Sequence, residues 1–440
     1  MNWQQLLSAR RFGMEEYHDE KHHDRTDFQR DYDRLIFSAP FRRLQNKTQV
    51  FPLPGSIFVH NRLTHSIEVS CVGRSLGMIV GKELRKRYPD SPADFEEISA
   101  IIAAGCLAHD LGNPPFGHSG ETAISSYFSE GKGKYLEEKI KEEGGRWEDF
   151  TNFEGNANSI RLLIHQFNGR RRGGFVLTYS MLASIVKYPY SSVTSDGKFG
   201  FFKAEEKDFK QIADTLGMHC IEESPLKYAR HPLVYLVEAA DDICYKIMDL
   251  EDAHKLGLLT TEQTKELFLN FFPEERQRKM QKTLQRVSDI NEQIAYLRSS
   301  VIGLLVDECS KVFLENEQEI LDGKFGKSLI KYISGTANEA YRIATDISYK
   351  KIYKTKDVVD IELAGHRIIG FLIDTFITAI EDRDAKYSKL ILSRIPEQYE
   401  TDAPTLYERI LAVLDFVSGM TDVYALDLYR KITGMSLPTV

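Results

Sequence analysis

The chain holds little cysteine and almost no tryptophan, five and two residues in 440. Cys71, Cys106, Cys220, Cys244 and Cys309 are scattered, with no pair at zinc-knuckle spacing, and their odd count fits a reducing compartment rather than a disulfide framework. A Gly-rich phosphate loop is missing, which excludes ordinary P-loop ATPase chemistry. No uninterrupted apolar run approaches the roughly 20 residues of a membrane helix. The start, Met-Asn-Trp-Gln-Gln-Leu-Leu, has no basic stretch leading into an apolar one. A soluble, cytoplasmic protein without a membrane partner is therefore expected. Excess positive charge is missing too: the formal net charge of −8 argues against a nucleic-acid coat and leaves room for a local basic groove. No internal repeat, low-complexity segment or clean linker divides the chain.

What is present is a large apolar fraction, 42%, enough for a sizeable core. The most informative stretch runs from Ile101 to Glu121. An apolar helix beginning near Ser91-Pro92, with Ser91 as its cap, ends in His109-Asp110, and Gly112 and two prolines then break it. His118 and Glu121 follow three residues apart. Desolvated His and Asp side chains need partners, and a metal ion satisfies both. A helix opening at Arg62-Leu-Thr-His65 and reaching about Tyr88 puts Arg62 and His65 on one face. A third helix opens at His231-Pro232 and carries Asp241, Tyr245 and Asp249 at i, i+4 and i+8. Its preceding turn is apolar, so Asp241 and Asp242 enter the core, where they are costly without a cation or donors.

Elsewhere the pattern is polar or helical. Residues 1–48 are dense in Arg and Asp and read as an ion-paired helix, a phosphate contact or a subunit contact. Residues 130–150 read as an exposed insertion, and Arg170 to Arg172 as a basic turn. Ser192 to Phe202, around Asp196-Gly197, reads as the one β-hairpin. From Thr260 onward long amphipathic helices dominate. The expected fold is mostly α, with the small hairpin. Three parts are expected: an N-terminal segment over 1–60, a catalytic core over 61–255 and a helical C-terminal lobe over 256–440.

His65, His109, Asp110 and Asp241 make a borderline-hard donor set. It suits Mg²⁺, Mn²⁺, Fe²⁺, Zn²⁺ or Ni²⁺, and it leaves open positions for water and a phosphoryl oxygen. His118 and Glu121 are close enough to act as an acid–base pair.

An ordered set of motifs supports this chemistry: Arg42 to Pro52, Arg62-Leu-Thr-His65, His109 to Glu121, Phe153-Glu-Gly-Asn-Ala157, Lys187-Tyr-Pro189, Glu238 to Ile243 and Gly419-Met-Thr-Asp422. Together they resemble the deoxyguanosine-triphosphate triphosphohydrolase family of the HD-domain superfamily, along essentially the whole chain. The resemblance implies an HD helical core and hydrolysis of a deoxynucleoside triphosphate, with dGTP favoured, to deoxynucleoside and tripolyphosphate. It implies metal binding by His65, His109, Asp110 and Asp241 and proton transfer by His118 and Glu121. Arg62, Lys187 and Tyr188 match phosphate-binding positions, and Gln49 and Asp249 match groups that read the sugar 3′-hydroxyl. Tyr245 matches the ring that leaves no room for a 2′-hydroxyl, and Asn113 and Asp242 are placed with the substrate-binding residues. Asn113 and Phe153 stand where related mammalian dNTP hydrolases carry His, which shifts proton transfer onto His118 and Glu121. A homo-oligomer is implied, family members often being hexamers, as is activation by single-stranded DNA or by nucleotides. The alternatives left open are an HD phosphohydrolase acting on another nucleotide or a DNA end, and a non-catalytic nucleotide sensor.

Overall fold

Asn61 starts the helix on which the site is built. Its side chain accepts from Thr64 N while the Thr64 hydroxyl accepts from Asn61 N, a reciprocal cap on the helix Arg62–Arg87. Arg85, Lys86 and Arg87 complement the dipole at its far end. This computed structural model describes residues 1–16, 24–51, 59–194 and 197–436. Among them are 21 α-helices, five short 3₁₀ turns and a single two-stranded sheet, so the fold is mostly α.

The helix Ile98–Ala108 is buried at nine of its eleven positions, so it is central rather than amphipathic. It packs on Arg62–Arg87, on Asp27–Ile36 and on Tyr179–Ser184. It begins later than its Ser-Pro signal suggests. Ser91 Oγ accepts from Ala93 N, a 3₁₀ turn spans Phe95–Glu97, and fully buried Phe95 anchors that turn. The helix Val234–Lys255 lies against Arg62–Arg87, with Ile290–Glu315 and Gly335–Lys351 packed on it. These elements form a first hydrophobic core.

A second core joins the helix His118–Ser129 to Lys356–Glu381, Leu406–Ser418 and Asp422–Ile432. Lys356–Glu381 is long and apolar enough by composition to cross a membrane. Its Ile369, Leu372, Ile373, Phe376, Ile377 and Ile380 are buried in this second core, as in a core helix of a globular fold. Truncating such a side chain, Phe376 for example, costs about 3–5 kcal/mol. Leu111 belongs to the first core and Phe116 packs on the second, so the loop after His109-Asp110 straddles both.

Two local expectations are corrected. Residues 130–150 are not an exposed insertion: Leu136, Ile140, Trp147 and Phe150 are buried in the second core, and mainly charged residues between them face solvent. The hairpin lies at Cys220–Glu223 and Leu226–Tyr228, antiparallel, and not at 192–202. Phe199, Phe201 and Phe202 are all fully buried, so the alternation a half-buried strand needs is absent there. Asp196 lies outside the described residues. The true first strand is exposed at every position and carries no alternating pattern to read.

Candidate active site

The loop at the end of Ile98–Ala108 meets two other helices. His109 sits at the C-cap, and its Nδ1 donates to Cys106 O at 2.6 Å. That bond fixes the tautomer and leaves Nε2 free to ligate. The neighbouring donors converge on it. The ligand atoms of His65, His109 and Asp110 lie within 4.8 Å of one another. Asp241 Oδ1, from Val234–Lys255, is 3.1 Å from His65 Nε2 and 3.6 Å from His109 Nε2. A divalent ion bound at about 2.0–2.2 Å from each donor needs donors roughly 3–4.5 Å apart. His65, His109 and Asp110 come close to that requirement, and Asp241 meets it toward both imidazoles, so the donor chemistry of two nitrogens and two carboxylates suits such an ion.

The electrostatics agree. Burial alone would raise the Asp110 pKa, but the Arg62 guanidinium and the two imidazoles hold its carboxyl well below the usual range. Arg62 NH1 donates to Asp110 Oδ2 at 2.6 Å, with both side chains largely buried. Asn113 Nδ2 donates to the other oxygen at 2.5 Å. Burial opposes the charge on His109, yet Asp110 and Asp241 outweigh it and raise its pKa. Asp242, next along the helix, is pushed up to about 7 by burial and then by the charge of Asp241.

His118 opens its helix and is exposed. Its Nδ1 lies 3.1 Å from Glu121 Oε2, and this hydrogen bond is the main reason its pKa is raised. Glu121 is mostly buried, and its other oxygen accepts from Gly155 N at 2.8 Å. Gly155 permits this approach: a Cβ there would sit 2.6 Å from Glu121 Oε1 and 2.0 Å from Asn113 Oδ1.

Several of the remaining sequence candidates line cavities beside this centre. A cavity of about 130 Å³ is lined by His109, Asp110, Asn113, Lys187 and Asp241, among others. A second, of about 580 Å³, shares Lys187 and Glu238 with it and is lined by Asp242, Tyr245, Lys246, Lys331 and Arg342. Lys187 pairs with Glu238 at 2.9 Å, and its ammonium lies over the Tyr188 ring, 5.8 Å from the centroid. Tyr245 stands edge-on to His65 and stacks on Tyr353, which donates to the Asp249 carboxylate. Asp249 is buried and pushed up to about 7, chiefly by that burial. Gln49 has a buried Oε1 with no partner among the described residues, and no contact there ties it to the donor set.

Sequence reasoning missed Tyr353, Lys331 and Arg342. Tyr353 falls in a connector between helices and Lys331 in a 3₁₀ turn, where no periodicity marks them. Lys47 and Asp422 lay inside quoted motifs without a role attached to either.

The HD domain family matches residues 62–190 and the phosphohydrolase-associated domain family residues 332–431. A deoxyguanosinetriphosphate triphosphohydrolase-like protein of Synechocystis is 38% identical over 99% of this chain and all of its own length. One from Pseudomonas aeruginosa is 37% identical over the whole of both chains. A deoxyguanosinetriphosphate triphosphohydrolase of Yersinia enterocolitica is 29% identical over 98% of this chain and 99% of its own. An HD domain, a convergent His-Asp donor set and full-length relatives coincide in one molecule, and the chain belongs to the deoxyguanosinetriphosphate triphosphohydrolase family of HD-domain phosphohydrolases.

Proposed function

We propose that the chain hydrolyses 2′-deoxynucleoside triphosphates, dGTP foremost, to deoxynucleoside and tripolyphosphate. What supports this reading is a single constellation: His65, His109 and Asp110 within 4.8 Å of one another, Asp241 against both imidazoles, and nearby a cavity lined by Lys187, Lys246, Lys331 and Arg342. Four cationic side chains suit the three linked phosphates of a nucleotide.

In this reading His65, His109, Asp110 and Asp241 hold a divalent ion, Mg²⁺ or Mn²⁺ foremost, which supplies Lewis-acid polarisation of the α-phosphate. Water forms the new bond to the α-phosphorus, and the bond from phosphorus to the nucleoside 5′-oxygen breaks. Glu121 hydrogen-bonds His118 and favours its acid form; His118 gives its proton to the departing oxygen and is recharged by the proton the attacking water releases. Arg62 and Lys187 hold phosphate oxygens. Tyr245, stacked on Tyr353, presents a rigid ring to the sugar, and Asp249 with Gln49 takes the 3′-hydroxyl. Asn113 and Asp242, each in the lining of one cavity, and Tyr188, beneath the Lys187 ammonium, take part in substrate binding.

The test is a product analysis. The purified chain is incubated with Mn²⁺ or Mg²⁺ and each of the four dNTPs, with and without single-stranded DNA and mixed nucleotides. Deoxynucleoside and tripolyphosphate are expected in equal amounts. Release of orthophosphate or pyrophosphate, or binding without turnover, refutes the reading.

A further inference from the structure

Phe116 and Gly117, immediately before His118, both have positive φ, 62° and 57°. For a residue with a Cβ this is an unfavourable backbone state that lasts only where its surroundings hold it. The surroundings here come from the C-terminal lobe. Asp422, the first residue of the helix Asp422–Ile432, is buried, and its Oδ1 accepts from Phe116 N at 2.9 Å. Its Oδ2 accepts from Thr48 N at 2.8 Å. Thr48 precedes Gln49, and the carbonyl of Lys47 accepts from Arg62 N at 3.2 Å. The Lys47 ammonium, buried beneath, donates to Asn113 O at 2.6 Å and to Ser418 O at 2.8 Å. Gly365 seals the other side: a Cβ there would lie 2.6 Å from the Cβ of Phe116.

One carboxylate thus grips two chain segments that are distant in sequence. One leads into His118 and the other into Gln49 and Arg62. We propose that Asp422 is a positioning residue for His118, clamping the Phe116-Gly117 turn so that the imidazole stands against Glu121, with Lys47 locking the base of the same loop. This rests on the reading of His118 as the proton donor. The carboxylate touches no reacting atom; it acts through the backbone amide of Phe116. A purely architectural role would predict a general loss of stability without a specific link to His118.

The test combines two measurements on the full chain. Hydrogen exchange of peptides spanning 111–121 is compared among wild type, Asp422→Asn and Asp422→Ala. The Asn variant keeps one acceptor oxygen and the overall shape, and so remains informative if the Ala variant folds poorly. Exchange in this loop is expected to rise about tenfold or more, with the Ile98–Ala108 helix unchanged. Unchanged loop exchange overturns the proposal. Steady-state kinetics are then run as a double-mutant cycle with His118→Ala. Asp422→Ala is expected to lower kcat by about 10–100-fold with little change in KM, and to cost almost nothing further once His118 is gone. Losses that multiply instead overturn it. If wild type turns over no dNTP, the proposed function fails by itself, and the exchange result alone decides whether the clamp exists.

Discussion

Replacing Arg62 by Met distinguishes two cations that face the Asp110 carboxylate, the Arg62 guanidinium and the proposed divalent ion. Arg62 and Asp110 are 8% and 13% exposed at their side chains and 2.6 Å apart. Removing one member of a buried pair costs about 3–5 kcal/mol, because the other charge is left uncompensated. Asn113 still donates to Asp110 at 2.5 Å, so the lower end applies, about 3 kcal/mol. For 440 residues at about 2.1 cal/mol/K each, the unfolding entropy is about 0.9 kcal/mol/K. The metal-free variant should therefore melt about 3 °C below wild type if it unfolds in one transition. A divalent ion in the site neutralises the stranded carboxylate, so saturating Mn²⁺ should recover at least half of that loss. The variant should bind Mn²⁺ about tenfold more tightly, about 1.4 kcal/mol, while turning over dGTP more slowly, because a phosphate contact is gone. Scanning calorimetry with chelator and with Mn²⁺, beside a metal titration, measures both quantities. An equal melting loss with and without metal, or weaker Mn²⁺ binding, refutes the reasoning.

Asp241→Ala should remove metal binding and lower turnover by about 10²–10⁴-fold, the equivalent of several kcal/mol of lost charge stabilisation; retained Mn²⁺ binding at one site per chain would strike Asp241 from the ligand set. Tyr245→Ala should reduce the preference for dGTP over GTP by about tenfold or more, and an unchanged ratio would remove Tyr245 from sugar discrimination. His118 has a raised pKa because Glu121 hydrogen-bonds it, so its acid form persists to higher pH and the rate should fall as pH rises through that value. Glu121→Gln should move this falling limb to lower pH, and a limb that stays put speaks against the pair. His60, hydrogen-bonded to Asp252 and Glu68, is raised to about 10 despite its burial. Its contribution to stability is whole below about pH 6.5 and lost as pH rises to about 10, at up to about 1.4 kcal/mol per pH unit. His60→Ala should flatten the decline over that window in denaturant titrations, and parallel curves would show that His60 does not titrate there.

The helices that carry the donor set were legible because they obey local rules. Asn61 and Thr64 cap the Arg62 helix, the run Ile98 to Ala108 is too apolar to lie anywhere but inside, and Asp241 follows an apolar turn. The side-chain spacing His118 to Glu121 survives as a direct contact. What could not be read depends on contacts distant in sequence. Phe199, Phe201 and Phe202 look like strand residues until the second core takes Phe199 and Phe202 and the first takes Phe201. Trp147 and Phe150 sit among charged neighbours that hide their burial. Tyr353 reaches Asp249 across 104 positions, and Asp422 reaches Phe116 across 306 and Thr48 across 374. No periodicity or capping signal encodes such pairings, so Gly419-Met-Thr-Asp422 stood out as a motif while its mechanical role did not.

The most direct measurement is the identity of the phosphate product. Phosphorus NMR of dGTP incubated with the purified chain and Mn²⁺ should show tripolyphosphate rising in step with deoxyguanosine. It should show no dGDP or dGMP at any time. Orthophosphate with dGDP, or pyrophosphate with dGMP, would place the cleaved bond farther out on the triphosphate and contradict cleavage between the α-phosphorus and the nucleoside 5′-oxygen.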